Sequence, residues 1–157
     1  MMMRLVTAVA IVAGLASNAM AQGASTTNME ILRQKVKADK KLVVAENLKL
    51  TEAEGAKFWP VYDAYQKEIQ QINERLKAVV LAYADAYNKG PVTDAAAKKL
   101  IEDASAVDDA EATLRRTSLP KILAVLPAAK AARYVQIENK IRAVIRYELA
   151  AGIPLVQ

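Results

Sequence analysis

The 157-residue sequence contains neither cysteine nor histidine. Without cysteine the chain forms no disulfide bond and has no thiol nucleophile. Without histidine it lacks the commonest ligand of transition metals and the commonest general base at neutral pH. The sequence also has no glycine-rich phosphate loop, and no serine or threonine can join a histidine-based triad. These absences exclude most enzyme classes, and we expect no catalytic activity and no cofactor.

Glycine, proline and aromatic residues are also scarce. Glycine and proline occur five times each, and aromatic residues make up 5% of a sequence that is 54% hydrophobic. No window alternates polar and apolar residues over the length of a strand, so the pattern predicts an all-α fold. Small apolar side chains favour helix but bury little area each, which predicts thin helical layers. A homodimer would help such a chain to bury enough apolar surface.

The first 21 residues have the pattern of a secretory signal peptide. Arg4 precedes the apolar segment 5–15, and the small-x-small sequence Ala19-Met20-Ala21 follows. Such an apolar segment is too short to span a bilayer, so we expect cleavage after Ala21 and no stable membrane insertion. Residues 22–157 then form a single exported helical domain, with 21 basic and 17 acidic residues and a net charge of +4. For an exported chain this balance favours anionic polypeptides or surfaces over nucleic acid as partners.

One nine-residue pattern occurs twice in the chain. LTEAEGAKF, residues 50–58, reappears as LPAAKAARY, residues 126–134. The second position holds threonine, which caps helices, and then proline, which is favoured in a first turn. Both copies therefore predict helix starts, the first with a capping box between Thr51 and Glu54. We interpret the following residues as structural: Leu50, Thr51, Glu54, Phe58, Leu126, Pro127, Lys130 and Tyr134.

Apolar spacing and stop signals predict four helices. The second has an apolar stripe from Phe58 to Tyr87 that keeps 3–4 spacing. Pro60 predicts either a kink in this helix or a restart near that residue. In the third helix we expect Leu100, Ala104, Val107 and Leu114 to face inward. The predicted bounds are Thr27 to about Asn47, Thr51 to Gly90-Pro91, Asp94 to about Ser118 (ended by Leu119-Pro120), and Pro127 to about Ala150.

The last predicted helix has an apolar face with basic residues along both edges. Its apolar arc consists of Tyr134, Ile137, Ile141, Val144, Ile145 and Leu149. Such a face suits a surface that holds amphipathic or negatively charged partners without strict sequence selection. It equally suits an ordinary core-facing helix whose basic side chains cover its margins. Trp59 likewise either packs on the first helix or offers an exposed apolar contact. The candidate binding residues are Trp59, Arg75, Arg133, Ile137, Lys140, Arg142, Val144, Arg146 and Tyr147.

The sequence resembles the Spy/CpxP-type periplasmic proteins with LTxxQ motifs. The resemblance lies in the two motifs, the predicted signal peptide and the length of the helical chain. LTEAE at residues 50–54 matches the first motif, with Glu54 where Gln is usual. LPAAK at residues 126–130 matches the second more loosely, with Pro127 for Thr and Lys130 for Gln. The resemblance implies a four-helix extended hairpin or cradle, usually dimeric, in which each long helix starts at such a motif.

The same resemblance implies a function in the envelope stress response. Some relatives bind unfolded or misfolded proteins without ATP on a concave basic and apolar face, and others modulate a membrane sensor kinase. We therefore expect a periplasmic chaperone-like protein or, alternatively, a regulatory partner of a sensor's periplasmic domain. Relatives that bind metal ions use His-rich segments, which this chain lacks. A carboxylate site at Asp108, Asp109 and Glu111 stays open.

Overall fold

The computed structural model describes residues 39–156, and every regular element in that range is an α-helix, as the sequence predicts. The chain divides after Val43 into two units. The expected signal peptide, its cleavage site and the helix start at Thr27 lie outside the described residues. No helix of the described range is long and apolar enough to cross a membrane. The helices are α1 Lys40–Leu48, α2 Glu52–Asn88, α3 Asp94–Leu123 and α4 Ala128–Gly152.

Helix α1 begins at Lys40, so the prediction of one continuous helix from Thr27 to Asn47 is wrong. Asp39 lies outside the helix, and its Oδ1 accepts a hydrogen bond from the Leu42 N–H at 3.0 Å. An aspartate that binds a first-turn amide in this way acts as an N-cap. After the last helical residue, Lys49 adopts a φ of 50°, the left-handed conformation that commonly ends a helix.

Helix α2 starts where the first motif predicts. Thr51 Oγ1 accepts from the Glu54 N–H at 3.3 Å, and Glu54 Oε2 accepts from the Thr51 N–H at 2.8 Å, so the capping box is confirmed. The helix runs unbroken through Pro60, and a restart at that residue is therefore wrong. It ends just before Gly90, whose φ of 126° is available to glycine at little cost.

The apolar stripe of α2 is buried at only one end. Phe58, Tyr62 and Tyr65, nearest the motif, are buried. The remaining members of the stripe are half-exposed, although α3 packs along this helix. This half-exposed part comprises Ile69, Ile72, Leu76, Val80, Tyr83 and Tyr87.

Helix α3 continues through Pro120 to Leu123, so the predicted end near Ser118 is wrong. Proline inside a helix costs about 3 kcal/mol, because it removes one backbone hydrogen bond and crowds the preceding turn. Here the residues around it, Ser118, Ile122 and Leu126, are all buried. Burying an isoleucine and a leucine contributes about 1.5–3 kcal/mol each, which offsets that cost. Local sequence alone therefore misplaces this boundary.

The inward faces of α3 and α4 follow the predicted periodicity only in part. On α3, Val107 and Leu114 are buried as expected. On α4, Tyr134 and Ile141 are buried, whereas Ile145 is exposed, so only part of the predicted apolar arc faces the core. The second motif marks the start of α4 as predicted, but Pro127 stands at the N-cap position, one residue before the first turn in which it was expected.

The two sequence motifs contact each other at equivalent positions. Glu54 and Lys130, both fifth in their motif, form an ion pair, and Lys130 Nζ also donates to the Lys49 carbonyl at 3.4 Å. Phe58 and Tyr134, both ninth, pack edge to face with ring centroids 5.1 Å apart. The first two turns of α2 and of α4 are thus held together by a charged contact and an aromatic one.

The contribution of the Glu54–Lys130 ion pair to the stability of the fold depends on pH. The hydrogen bond from Lys130, followed by that from the Thr51 N–H, lowers the pKa of Glu54 below its ordinary value of 4.5. A carboxylate whose pKa is lowered in the folded state stabilises that state above its unfolded pKa. Its contribution is therefore present at neutral pH and is lost as the pH falls below 4.5 and through the folded pKa.

Candidate functional site

Three of the predicted binding residues meet in one groove on α4. Arg133, Ile137 and Lys140 follow one another at spacings of four and three residues, which places them on one face of the helix. Asn47 of α1 also lines this groove. The groove has a volume of about 470 Å³. The lining residues are Asn47, Ala129, Ala132, Arg133, Gln136, Ile137 and Lys140.

The groove combines apolar side chains with two basic ones. Ala129, Ala132 and the half-buried Ile137 supply the apolar part. Arg133 and Lys140 are exposed, and neither forms an ion pair with another residue in the described part of the chain. Long basic side chains at the border of an apolar strip present charge to solvent while their stems extend the apolar area. The arrangement suits an extended ligand with apolar and acidic groups.

The opposite edge of α4 is engaged within the protein. Arg146 Nη2 donates to Asp108 Oδ1 at 2.6 Å and to Glu111 Oε2 at 2.7 Å, both on α3. Arg142 Nε lies 3.7 Å from Glu111 Oε1. The hydrogen bond to Glu111 raises the pKa of Arg146 above its ordinary value. The charges of Arg142 and Arg146 thus join α4 to α3, and their place on the binding face stays a prediction.

Two further candidate binding residues on α4 differ in how far they are buried. Val144 is 2% exposed and belongs to the core, so it does not line an accessible surface. Tyr147 is 64% exposed and lies seven residues beyond Lys140, on the continuation of the groove's face. Tyr147 therefore extends the row of accessible candidates toward the C-terminal end of the helix.

The two candidates on α2 lie outside the groove. Trp59 is half-buried and packs edge to face on Phe58 and Tyr62, with centroid distances of 5.0 and 5.4 Å. A Cβ atom on Gly55 would lie 3.3 Å from Trp59 Nε1, so this glycine lets the indole lie close to the helix. Arg75 is exposed and donates to the Ala106 carbonyl at 3.4 Å, in a separate cleft between α2 and α3.

Sequence reasoning missed two polar residues of the interior. Glu111 and Ser118 are buried on α3 together with Val107, Leu114 and Ile122. These five positions are spaced by three or four residues and form one helical stripe, so periodicity without regard to polarity would have included them.

The acidic group at Asp108 and Glu111 binds Arg146 in this structure. Within residues 39–156 no three acidic, histidine or cysteine side chains are grouped closely enough to hold a metal ion. Two of the three carboxylates that the sequence left open as a metal site, Asp108 and Glu111, therefore have a structural partner.

Comparisons with known proteins add no assignment to this geometry. No protein-family model, no curated protein and no solved structure matches this chain.

Proposed function

We propose that this protein is a periplasmic, ATP-independent chaperone-like protein that binds unfolded or misfolded polypeptides of the cell envelope. The observation that carries the proposal is the groove of α4, where Ile137 and two alanines lie together with Arg133 and Lys140. The predicted export signal and the resemblance of the two motifs support a role in envelope stress. The cradle-like arrangement and the absence of covalent chemistry are part of the same proposal.

The chemistry of the groove explains how it would hold many different chains. An unfolded polypeptide exposes apolar side chains together with carboxylates, and the groove offers partners for both without a deep pocket that selects one residue. Exposed cations contribute little to affinity one by one, but they speed the encounter with acidic segments. Binding of this kind weakens with salt, because the Debye length falls from about 10 Å at 0.1 M to about 3 Å at 1 M.

The test is light scattering of an aggregating unfolded protein with and without purified residues 22–157, in the absence of ATP. We expect suppression that weakens at high salt. In the double variant Arg133→Glu/Lys140→Glu, half-suppression should need about tenfold more protein, equivalent to about 1.4 kcal/mol. Arg142 and Arg146 are unsuitable for this test, because reversing their charges would also place like charges beside Glu111.

The matched control is Lys67→Glu/Lys121→Glu, which reverses two exposed lysines outside the groove and changes the net charge equally. It should suppress aggregation like the unsubstituted protein. Equal loss in both double variants would assign the effect to net charge and contradict the groove. No suppression by excess unsubstituted protein would reject the chaperone proposal. Recovery of one stoichiometric partner from an envelope extract would then support the sensor-binding alternative.

We also propose that the protein is a homodimer that covers the half-exposed part of the α2 stripe. Leu76 and Val80 are only partly covered within one chain. The substitution Leu76→Glu should shift the sedimentation equilibrium from dimer to monomer, because it would bury an unpaired charge in the interface. Ile101→Glu, at an exposed position on α3, should leave the dimer intact. An unsubstituted chain that sediments as a monomer at every concentration would contradict the proposal.

A further inference from the structure

A second concave site, here called the larger cavity, lies among α2, α3 and α4 and shares no lining residue with the groove. Its volume is about 380 Å³, within the range of small-molecule pockets. Leu119 and Ile122 of α3 and Val135 of α4 supply apolar side chains to its wall. An apolar ligand placed against these side chains would be removed from water, which favours binding.

Two hydroxyl groups on the wall of the larger cavity have no partner within the chain. They belong to Ser118 of α3, which is 4% exposed, and to Tyr65 of α2, which is 8% exposed. Neither takes part in a hydrogen bond within residues 39–156, and neither oxygen is fully enclosed. Burial raises the pKa of Tyr65 to about 12, so its hydroxyl stays protonated and able to donate at neutral pH. Because polar groups buried this far are almost always paired, the two hydroxyls call for a partner from outside the chain.

Charges of both signs surround the larger cavity, and they favour an uncharged ligand. Arg115 and Arg116 line it together with Glu138. Glu138 Oε1 accepts from Gln66 Nε2 at 3.2 Å, so this carboxylate already has a partner. An anionic head group would meet the like charge of Glu138, and a cationic one would meet the two arginines. An uncharged oxygen avoids both repulsions and can exchange hydrogen bonds with the two hydroxyls.

A smaller cavity, of about 240 Å³, shares Tyr65 and Ser118 with the larger one. Val135 lines only the larger of the two cavities, whereas Val61 of α2 lines only the smaller. The negative charge of Glu138, which lines the larger cavity, acts on the Tyr65 hydroxyl. This interaction indicates that the hydroxyl lies toward the larger cavity.

We infer that the larger cavity binds a small uncharged amphiphile, a medium-chain alcohol or ester. Its apolar chain lies against Leu119, Ile122 and Val135. Its oxygen exchanges hydrogen bonds with the hydroxyls of Ser118 and Tyr65. The inference does not rest on polypeptide binding in the α4 groove, so the two sites can be tested apart.

Isothermal titration of purified residues 22–157 with octan-1-ol tests the inference. The titration is made at two temperatures, because burial of apolar surface makes the heat of binding change with temperature. We expect one octan-1-ol per chain, bound about fivefold more weakly by Ser118→Ala and by Tyr65→Phe, the usual effect of losing one uncharged hydrogen bond. Octanoate and octylammonium, which have the same chain with a charged head, should each bind about tenfold more weakly than the alcohol.

The two hydroxyl variants should also keep their stability. Neither Ser118→Ala nor Tyr65→Phe should lower the midpoint of urea unfolding, because each removes a hydroxyl that has no partner within the chain. Hydroxyls with a purely structural role predict a lower midpoint in both variants and unchanged binding of octan-1-ol, and that result would contradict the inference.

Three further variants locate the ligand. Val135→Phe narrows the larger cavity and should weaken octan-1-ol binding about tenfold. Val61→Phe, which narrows the smaller cavity, should bind within about twofold of the unsubstituted protein. The same holds for Ser105→Ala, the matched control at an exposed serine of α3 that lines neither cavity.

Three results would each overturn the inference. The first is no heat of binding to the unsubstituted protein at either temperature. The second is equal affinity for octan-1-ol and its two charged counterparts. The third is loss of binding in Val61→Phe but not in Val135→Phe, which would place the ligand in the smaller cavity.

Discussion

Replacing Phe58 with alanine is expected to lower the free energy of unfolding by about 3–5 kcal/mol, the usual cost of truncating a buried aromatic residue. The ring is fully buried and lies 5.0–5.9 Å from the centroids of Trp59, Tyr62 and Tyr134. Each edge-to-face pair contributes about 0.5–1.5 kcal/mol beyond the burial of area. Urea unfolding followed by far-UV circular dichroism measures the loss.

Two further substitutions make this result specific to the cluster. Ile101→Ala truncates an apolar side chain that is 67% exposed, so it should change stability by less than about 0.5 kcal/mol. Phe58→Leu keeps an apolar side chain and gives a measurable intermediate if the alanine variant does not fold. A loss below about 1 kcal/mol for Phe58→Ala would show that α2 and α4 are not held together by this cluster.

The second large effect is expected at the ion pair between Glu111 and Arg146. The Glu111 side chain is 12% exposed, whereas that of Arg146 is 38% exposed. Arg146→Ala would leave Glu111 buried with only the longer contact to Arg142, at a cost of about 2 kcal/mol. In a double-mutant cycle with Glu111→Ala, the coupling energy should be about 1–2 kcal/mol, reduced from that of a fully buried pair by solvent at Arg146.

The control cycle uses Lys99 and Asp103 on α3. This pair has almost the same separation, 2.8 Å, but its side chains are 73% and 44% exposed. Its coupling energy should therefore be much smaller than that of the Glu111–Arg146 pair and should fall with added salt. Equal coupling energies in the two cycles would contradict the conclusion that burial strengthens the contact between α3 and α4.

The local structure could be predicted well wherever it depends on interactions between residues that are close together in the sequence. Thr51 and Glu54 cap α2 as their spacing predicts, and Thr93 caps α3 through the Ala96 N–H at 3.3 Å. Cap bonds form between residues only three apart, so sequence contains all the information they need. The end of α3 is the counterexample. Pro120 predicts a stop, and only the burial of residues on both sides of it explains why the helix continues.

The candidate site was less predictable, because two residues of the same type on one helix can contact different residues of other helices. Arg133 and Arg146 both border the apolar arc of α4, and nothing local distinguishes them. In the fold, Arg133 faces the open groove while Arg146 meets Asp108 and Glu111. Whether a basic side chain is free to bind a partner depends on the helix packed beside it, which lies more than thirty residues away in sequence.

By itself the sequence determined the all-helical class, the two helix starts at residues 50–58 and 126–134, and the exclusion of thiol and histidine chemistry. These follow from composition and from contacts within one turn. Only the tertiary structure decided that Glu54 and Lys130, the fifth residues of the two motifs, form an ion pair with each other. The same holds for Arg133 and Lys140, which line the groove without an ion pair to another described residue. Each depends on distances between helices, and side-chain periodicity along one helix does not specify them.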